Sequence, residues 1–130
     1  MPFDRITLIN VQPPRNADIN QELQWLGATL GLFGQRDKDS SCFRVFITII
    51  NSSSQPLTSD EIAQRCGLTR GTVVHHLNKL RDAGLVAPAT QGYSLAATSI
   101  QESLQAMEEE IQQTLALMRA VAKDIDKKLQ

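Results

Sequence analysis

The chain has 130 residues, of which 42% are apolar and 21% are charged, and its formal net charge is −1. A chain of this length fits one domain that can bury a core without disulfides or metals. The charge balance excludes a polybasic tail that coats nucleic acid. It does not exclude a sequence-specific DNA binder, because recognition depends on where the basic residues lie.

The sequence also lacks the marks of a secreted, membrane or zinc-binding protein. Its two cysteines, Cys42 and Cys66, lie far apart and outside any Cys/His cluster, so neither a disulfide framework nor a zinc finger is expected. No N-terminal stretch has the pattern of a secretory signal, and the longest apolar run, residues 25–34, is about half as long as a membrane span. We therefore expect a cytoplasmic protein without a metal or a cofactor.

An N-terminal arm is predicted at residues 1–15, where residues 5–11 alternate weakly, as in a strand, before two consecutive prolines interrupt regular structure. Residues 16–39 then form a helix and its connector, with Asn16 or Asp18 as the cap. The apolar stripe of this helix consists of Ile19, Leu23, Leu26, Leu30 and Phe33.

Three glycines, Gly27, Gly31 and Gly34, lie beside this stripe. Glycine weakens a helix by about 1 kcal/mol relative to alanine. The helix therefore either frays near its end or is approached closely by another helix. Trp25 is expected to anchor the packing, and residues 35–39 form the charged connector.

The next segment begins at Ser40 or Ser41, runs to Asn51 and is predicted to be a helix with two apolar sides. Phe43, Phe46, Ile47 and Ile50 form one side, and Val45 and Ile49 form the other. A helix of this kind is buried between two neighbours, although its β-branched residues would also suit a strand.

Two short helices joined by a glycine turn follow, which is the pattern of a helix-turn-helix. Thr58 and Glu61 form a capping box at the start of the first helix, and Gly67 ends it. Thr69 caps the second helix, which is predicted over about residues 69–83. A small β-hairpin then follows.

The strands of this hairpin are predicted at residues 85–87 and 93–95, with a loop at 88–92. The loop has no Lys or Arg, and only Thr90 and Gln91 could hydrogen-bond to DNA. We therefore expect the hairpin to contribute little to binding.

The last segment, residues 98–130, contains no proline or glycine and repeats its apolar residues every seven positions, as in a coiled coil. A helix of about 30 residues is about 45 Å long, so its stripe needs a partner outside so small a domain. We predict a homodimer in which this helix packs against its copy and the N-terminal helix adds to the interface. The predicted dimerisation residues are Leu23, Leu26, Leu30, Leu104, Met107, Ile111, Leu115, Met118, Val121 and Ile125.

Residues 62–86 resemble the winged helix-turn-helix of the arsenical-repressor (ArsR-like) type, and MarR-like repressors share much of this core. The resemblance is carried by Thr72-Val73, His76-Leu77 and the run Leu80-Arg81-Asp82-Ala83-Gly84-Leu85-Val86. It implies an α+β, mostly helical fold, in which a winged helix-turn-helix domain at 40–97 has dimerisation helices on both sides. It also implies a transcriptional regulator that binds double-stranded DNA, and a two-fold dimer would bind a palindromic site.

The sequence departs from this family at two points. The loop at 88–92 lacks the basic residues with which a wing tip grips DNA. The cysteine pair that senses metal in ArsR-like repressors is also absent, because only Cys66 lies near its place. The metal response of the family is therefore not expected.

The second helix of the motif has a face suited to DNA. If Val73, Leu77 and Leu80 face the core, His75 points outward and His76 is half-buried. No acidic residue occurs from Thr69 to Arg81. Arg70 is the best candidate for a bidentate guanine contact. The predicted DNA-binding residues are Thr58, Ser59, Thr69, Arg70, Gly71, Thr72, Val74, His75, Asn78, Lys79 and Gln91; of these, Thr58, Ser59, Thr69 and Lys79 are assigned to phosphates.

Other functions stay open or are disfavoured. A winged domain can instead serve as a protein-interaction adaptor, although the acid-free helix favours DNA. An unknown small-molecule effector could bind between the dimer helices, against Gly27, Gly31, Met107 and Met118. Metal at His75 and His76 is disfavoured, because adjacent helical residues point about 100° apart. No nucleophile–base pair, carboxylate pair or glycine-rich phosphate loop indicates an enzyme.

Overall fold

The computed structural model describes Phe3 and residues 5–33, 40–52 and 55–130. In this part of the chain the elements are α1 (Ile19–Thr29), α2 (Ser41–Asn51), α3 (Ser59–Cys66), α4 (Arg70–Asp82), β1 (Val86–Ala89), β2 (Gly92–Leu95) and α5 (Ile100–Leu129). The fold is mostly helical with a small antiparallel hairpin, as in a winged helix. The connector predicted at 35–39 lies outside the described residues. None of the described helices is long and apolar enough to cross a membrane.

The centre of the core is α2, which is a helix and not a strand. Val45, Phe46 and Ile49 are almost completely buried, and α2 packs against α3, α4 and β2. The side chains that close around it are Ile62 of α3, Val73, Leu77 and Leu80 of α4, and Leu85 and Val86 at the start of the hairpin. The inward face predicted for the second helix of the motif is therefore confirmed.

The hairpin is tighter than the sequence predicted. In the antiparallel register Pro88 lies opposite Tyr93, and Ala89 lies opposite Gly92. The predicted loop at 88–92 is wrong, since only Thr90 and Gln91 form the turn. Proline is tolerated in β1 because this strand is at the edge of the sheet, where no partner needs its missing N–H.

A single residue in the segment that precedes α3, Leu57, pairs with β2 on the side opposite β1. The N–H of Leu57 donates to the carbonyl of Tyr93 at 3.0 Å, and the N–H of Tyr93 donates to the carbonyl of Leu57 at 2.7 Å. Gly92 has φ +140°, and a Cβ there would lie 2.3 Å from the Leu57 carbonyl. This close backbone approach fixes the hairpin to the start of the helix-turn-helix.

Helix α1 is shorter than its apolar stripe predicted, because the chain turns before it reaches Phe33. Gly31 adopts a left-handed conformation with φ +71°. The N–H of Leu32 donates to the carbonyl of Gly27 at 2.8 Å, and the N–H of Gly31 donates to that of Ala28 at 3.1 Å. This pair of bonds is a Schellman motif, which ends a helix.

The close approach at Gly27 is made by an aromatic ring and not by another helix. A Cβ on Gly27 would lie 1.7 Å from the ring of Phe33. The same ring meets Phe43 of α2 edge-on, with 5.5 Å between the ring centroids. Gly27 therefore lets Phe33 fold back over α1 and join the two helices.

The arm runs along α1 without forming a strand, so the strand pattern of residues 5–11 is misleading. The N–H of Ile9 donates to the carbonyl of Thr29 at 2.7 Å. The indole N–H of Trp25 donates to the carbonyl of Val11 at 2.9 Å. Trp25 is therefore the anchor that the sequence predicted, and its polar partner is the arm.

Phe3 is a core residue that sequence analysis missed. Its side chain is 8% exposed, and it packs on Gly84, where a Cβ would lie 2.0 Å from the ring. Gly84 follows α4 with φ +77°. The start of the arm is therefore fixed to the end of α4.

Helix α5 divides into two parts. Met107 is buried and Leu104 and Ile111 are half-buried against the core, whereas every residue from 112 to 130 is exposed. The expectation that the whole stripe needs an outside partner is therefore wrong for its first three turns.

Some of the predicted dimerisation residues are covered by the chain itself. Leu23, Leu30 and Met107 are 7%, 6% and 3% exposed, and Leu26 is half-buried. Their apolar character is explained by the core of one chain, so they no longer indicate a second one. The exposed members of the predicted set are Leu115, Met118, Val121 and Ile125.

Gly27→Ala is expected to lower the free energy of unfolding by about 1–3 kcal/mol, because the new methyl group displaces Phe33 and overpacks the contact. Alanine's higher helix propensity offsets only part of this. Gly71→Ala is the control, since a Cβ there meets nothing within 4 Å, and it should leave stability equal or slightly higher. Urea unfolding measures both; equal stability of the two variants would contradict the packing described for Phe33.

Candidate nucleic-acid interface

The two helices of the motif begin and end as the sequence predicted. The Thr58 hydroxyl oxygen accepts the N–H of Glu61 at 3.1 Å, and the Glu61 carboxylate accepts the N–H of Thr58 at 3.2 Å. Gly67 ends α3 with φ +65°. The Thr69 hydroxyl oxygen accepts the N–H of Thr72 at 3.2 Å and so caps α4. Local capping therefore sets where α4 starts.

The face of α4 that points away from the core is open to solvent. Arg70, Gly71, His75 and Asn78 are all exposed. Nothing lies within 4 Å of the position where a Cβ of Gly71 would stand. These four predicted residues therefore share one accessible surface that begins at the N-terminus of α4, and we call it the α4 face.

Arg70 forms a weak ion pair at this surface. Its Nε lies 3.6 Å from Oδ1 of Asp60 on α3, and the two side chains are 70% and 76% exposed. Ion pairs this exposed contribute about 0–1 kcal/mol. The guanidinium can therefore leave Asp60 for another acceptor at little cost.

The threonines that cap α3 and α4 already use their hydroxyl groups in local hydrogen bonds. The Thr69 hydroxyl donates to Thr72 Oγ1 at 2.8 Å, so the Thr72 hydrogen is left to point elsewhere. The Thr58 hydroxyl donates to Glu61 Oε1 at 3.0 Å. Ser59 is half-buried in the first turn of α3. A phosphate contact by Thr58 would therefore have to replace its bond to Glu61.

Lys79 is placed differently from the prediction. It is half-buried, and its Nζ donates to the carbonyl of Leu32 at 3.1 Å. The sequence predicted that it contacts a phosphate. In the structure it links α4 to the turn after α1, so its charge helps to hold the helix in place.

The two histidines have separate roles. His75 is exposed on the α4 face, whereas His76 is 8% exposed and so more buried than expected. Nε2 of His76 lies 2.6 Å from Oγ of Ser41 at the start of α2. Among the described residues, no group of three His, Cys, Asp or Glu side chains is placed to hold a metal ion.

Two other predicted DNA-binding residues lie outside the α4 face. Val74 is half-buried on its flank, and Gln91 is exposed in the two-residue turn of the hairpin. The predicted set omits the exposed Arg65 and Arg81, although their positive charge was visible in the sequence. It also omits a half-buried cation, Arg44, whose Nη1 donates to the carbonyl of Cys66 at 2.9 Å.

Only two of the four residues predicted to line an effector pocket are brought together. Gly27 is covered by Phe33. Gly31 and Met107 line a cavity of about 200 Å³ between the arm and α4, whereas Met118 lines a different cleft. The four residues therefore share no single cavity within one chain, and an effector site between two copies stays a prediction.

Comparison with known proteins identifies the same motif. A family model described as a helix-turn-helix domain matches residues 39–89, a range that covers α2, α3, α4 and β1. The match supports DNA binding and a role in regulating transcription, and it does not separate the ArsR-like from the MarR-like type. Searches of curated proteins and of solved structures found no match.

Replacing each of the two adjacent histidines by alanine should separate their roles. His76→Ala is expected to lower the free energy of unfolding by about 1–3 kcal/mol, because it removes a buried hydrogen bond to Ser41 and leaves space in the core. His75→Ala should change stability by less than about 0.5 kcal/mol. Urea unfolding gives both values, and a larger loss for His75→Ala would overturn this assignment.

Proposed function

We propose that the chain is a sequence-specific, double-stranded DNA-binding regulator of transcription that acts in the cytoplasm as a homodimer. Helix α4 enters the major groove, and the protein acts by binding alone, without catalysis. The observation that carries the proposal is the α4 face: a helix packed firmly on one side presents exposed polar residues from its N-terminus on the other.

The residues of the α4 face suit direct readout of bases. The Arg70 guanidinium matches O6 and N7 of guanine, and the Asn78 amide matches N6 and N7 of adenine. Gly71 lets the helix approach closely, because no side chain stands there. His75, one turn after Gly71, can donate to or accept from a base edge.

The phosphate contacts come from the N-terminal ends of the motif. Helix N-termini present free N–H groups and a partial positive charge, which suits a phosphate. Thr58, Ser59 and Thr69 stand at these ends. The hairpin adds little, because its turn is short and carries only Thr90 and Gln91. Recognition of the DNA sequence therefore depends on α4.

The exposed half of α5 supports the homodimer. Met118, Val121 and Ile125 are 59%, 58% and 50% exposed, and Leu115 and Leu129 continue the stripe. A contiguous apolar surface of this kind on one chain marks an interaction site. A two-fold homodimer is the commonest assembly, and it would place two copies of α4 on one palindromic site.

Selection from random duplexes should enrich a palindromic sequence, and Arg70→Ala should weaken binding to it by about 1–3 kcal/mol, because a bidentate guanine contact is lost. Arg119→Ala removes the same charge from α5, far along the chain from the motif, and serves as the control with near-normal affinity. Fluorescence anisotropy at fixed salt measures both. Enrichment of no sequence, or binding insensitive to salt, would favour a protein-interaction adaptor.

The dimer is tested separately, without DNA. Sedimentation equilibrium at micromolar concentration should give twice the mass of the chain, and Ile125→Glu should shift it to monomer, since a charge in an apolar interface is costly. Ala120→Glu makes a comparable change on the opposite side of α5 and should remain dimeric. A monomeric parent chain would refute the homodimer.

A further inference from the structure

A cleft between the arm and α5 continues the exposed stripe of α5. Its volume is about 340 Å³. Phe3, Ile6 and Leu8 line it on the arm side, and Leu8 is 64% exposed. The residues that line it on the α5 side are Glu110, Ile111, Thr114, Leu115 and Met118. The apolar surface is therefore widest where the arm meets the middle of α5.

The two halves of α5 carry opposite charge. Residues 100–112 contain four acidic side chains and no basic one, whereas residues 113–129 contain four basic and two acidic ones. Two such helices attract when they run antiparallel and repel when they run parallel, because the parallel arrangement places like charges level with each other.

We propose that this cleft receives the C-terminal half of α5 from a second copy of the chain, in an antiparallel pair. The inference rests on the homodimer of the proposed function, and it specifies the orientation of the two helices and the seat of each one. It makes the arm part of the dimer interface.

The heptad pattern restricts the register to a few alternatives, and we take the one that covers the cleft and leaves the buried Met107 outside the interface. With the two-fold axis between Arg119 and Ala120, an a position of one helix meets a d position of the other, as antiparallel packing requires. The facing pairs are Met118 with Val121, Thr114 with Ile125, and Ile111 with Lys128 of the second copy. Residues 121–129 of one copy then lie over the part of α5 that lines the cleft.

This register also matches charges at the edge of the cleft. Glu110 and Lys128 lie on the same side of the apolar stripe, each about 80° from Met118 at 100° per residue. Their positions along the two helices then differ by only about 1.5 Å. Lys128 pairs with Asp124 on its own helix at 2.9 Å, and both side chains are well exposed, so this weak bond can give way to Glu110 of the second copy.

A parallel pair would leave this surface uncovered. It could join only the exposed half of α5, since Met107 and its neighbours already pack on their own core. Phe3, Ile6 and Leu8 would stay beside the interface. The antiparallel pair covers the arm residues and the stripe together.

Cysteine crosslinking distinguishes the two orientations. In the antiparallel register Thr114 faces Ile125 of the second copy, while each residue lies about 16 Å along the axis from its own counterpart. A disulfide needs Cα atoms within about 7 Å. T114C alone and I125C alone should therefore stay uncrosslinked under mild oxidation, and an equimolar mixture should give a disulfide-linked pair. The native Cys42 and Cys66 are buried and serve as an internal control in the parent chain.

Each other outcome overturns the proposal in a recognisable way. Self-crosslinking of both single variants, with a dimeric mass, would leave the homodimer standing and show a parallel pair. A monomeric mass without any crosslink would refute the homodimer itself and leave the stripe to a different protein. A dimeric mass without crosslinks in any sample would place the interface elsewhere.

Charge reversal gives an independent readout on the same dimer. E110K should raise the dimer Kd about threefold to tenfold, because two symmetric pairs with Lys128 are lost, and adding K128E should restore it. E109K makes the same change on the side of α5 away from the stripe and should have no effect. An unchanged or lower dimer Kd for E110K would contradict the proposal, because it would show that Glu110 does not lie beside Lys128 of the second copy.

Discussion

Burial of α2 on both sides is the constraint on which the rest of the structure depends. Val45, Phe46 and Ile49 are almost fully buried, so α3, α4 and the hairpin can take only positions that close around them. Fully burying one such side chain contributes about 1.5–3 kcal/mol. The positions of both helices of the motif therefore depend on their packing against α2 as well as on the turn that joins them.

Polar groups on α2 then make this packing specific. Arg44 donates to the carbonyl at the end of α3, and Ser41 lies 2.6 Å from His76 of α4. Each contact joins α2 to one helix of the motif. A buried polar contact is costly when it is broken, so it penalises any sliding of α3 or α4 along α2. The α4 face is thus held rigidly although none of its own residues is in the core.

A feature could be predicted from the sequence when the residues that form it lie close together along the chain. The caps at Thr58 and Thr69 need only residues three positions away, and the buried face of α4 follows from helical periodicity. Both are confirmed. The α4 face was predictable for the same reason, since the outward side of a helix is known once its inward side is known.

The features that were missed depend on contacts between distant segments. Phe3 meets Gly84, and Lys79 bonds to the carbonyl of Leu32, 47 residues away. No periodicity in the chain indicates either contact. The presence of Pro88 in a strand could not be predicted for the same reason. Proline fits an edge strand, and which strand lies at the edge depends on the pairing with β2.

These distant contacts connect the arm to both ends of the proposed mechanism. Phe3 packs on the end of α4 and also lines the cleft beside α5. A helix bound in that cleft would therefore contact Phe3, which also packs against the end of α4. Near-neutral charge fits the proposed mechanism, because a helix with few cations gains limited phosphate attraction alone. In the proposed homodimer the affinity would come from base contacts made by two rigidly held copies of α4. The arm is the part of the chain that contacts both α4 and the surface proposed for the second copy.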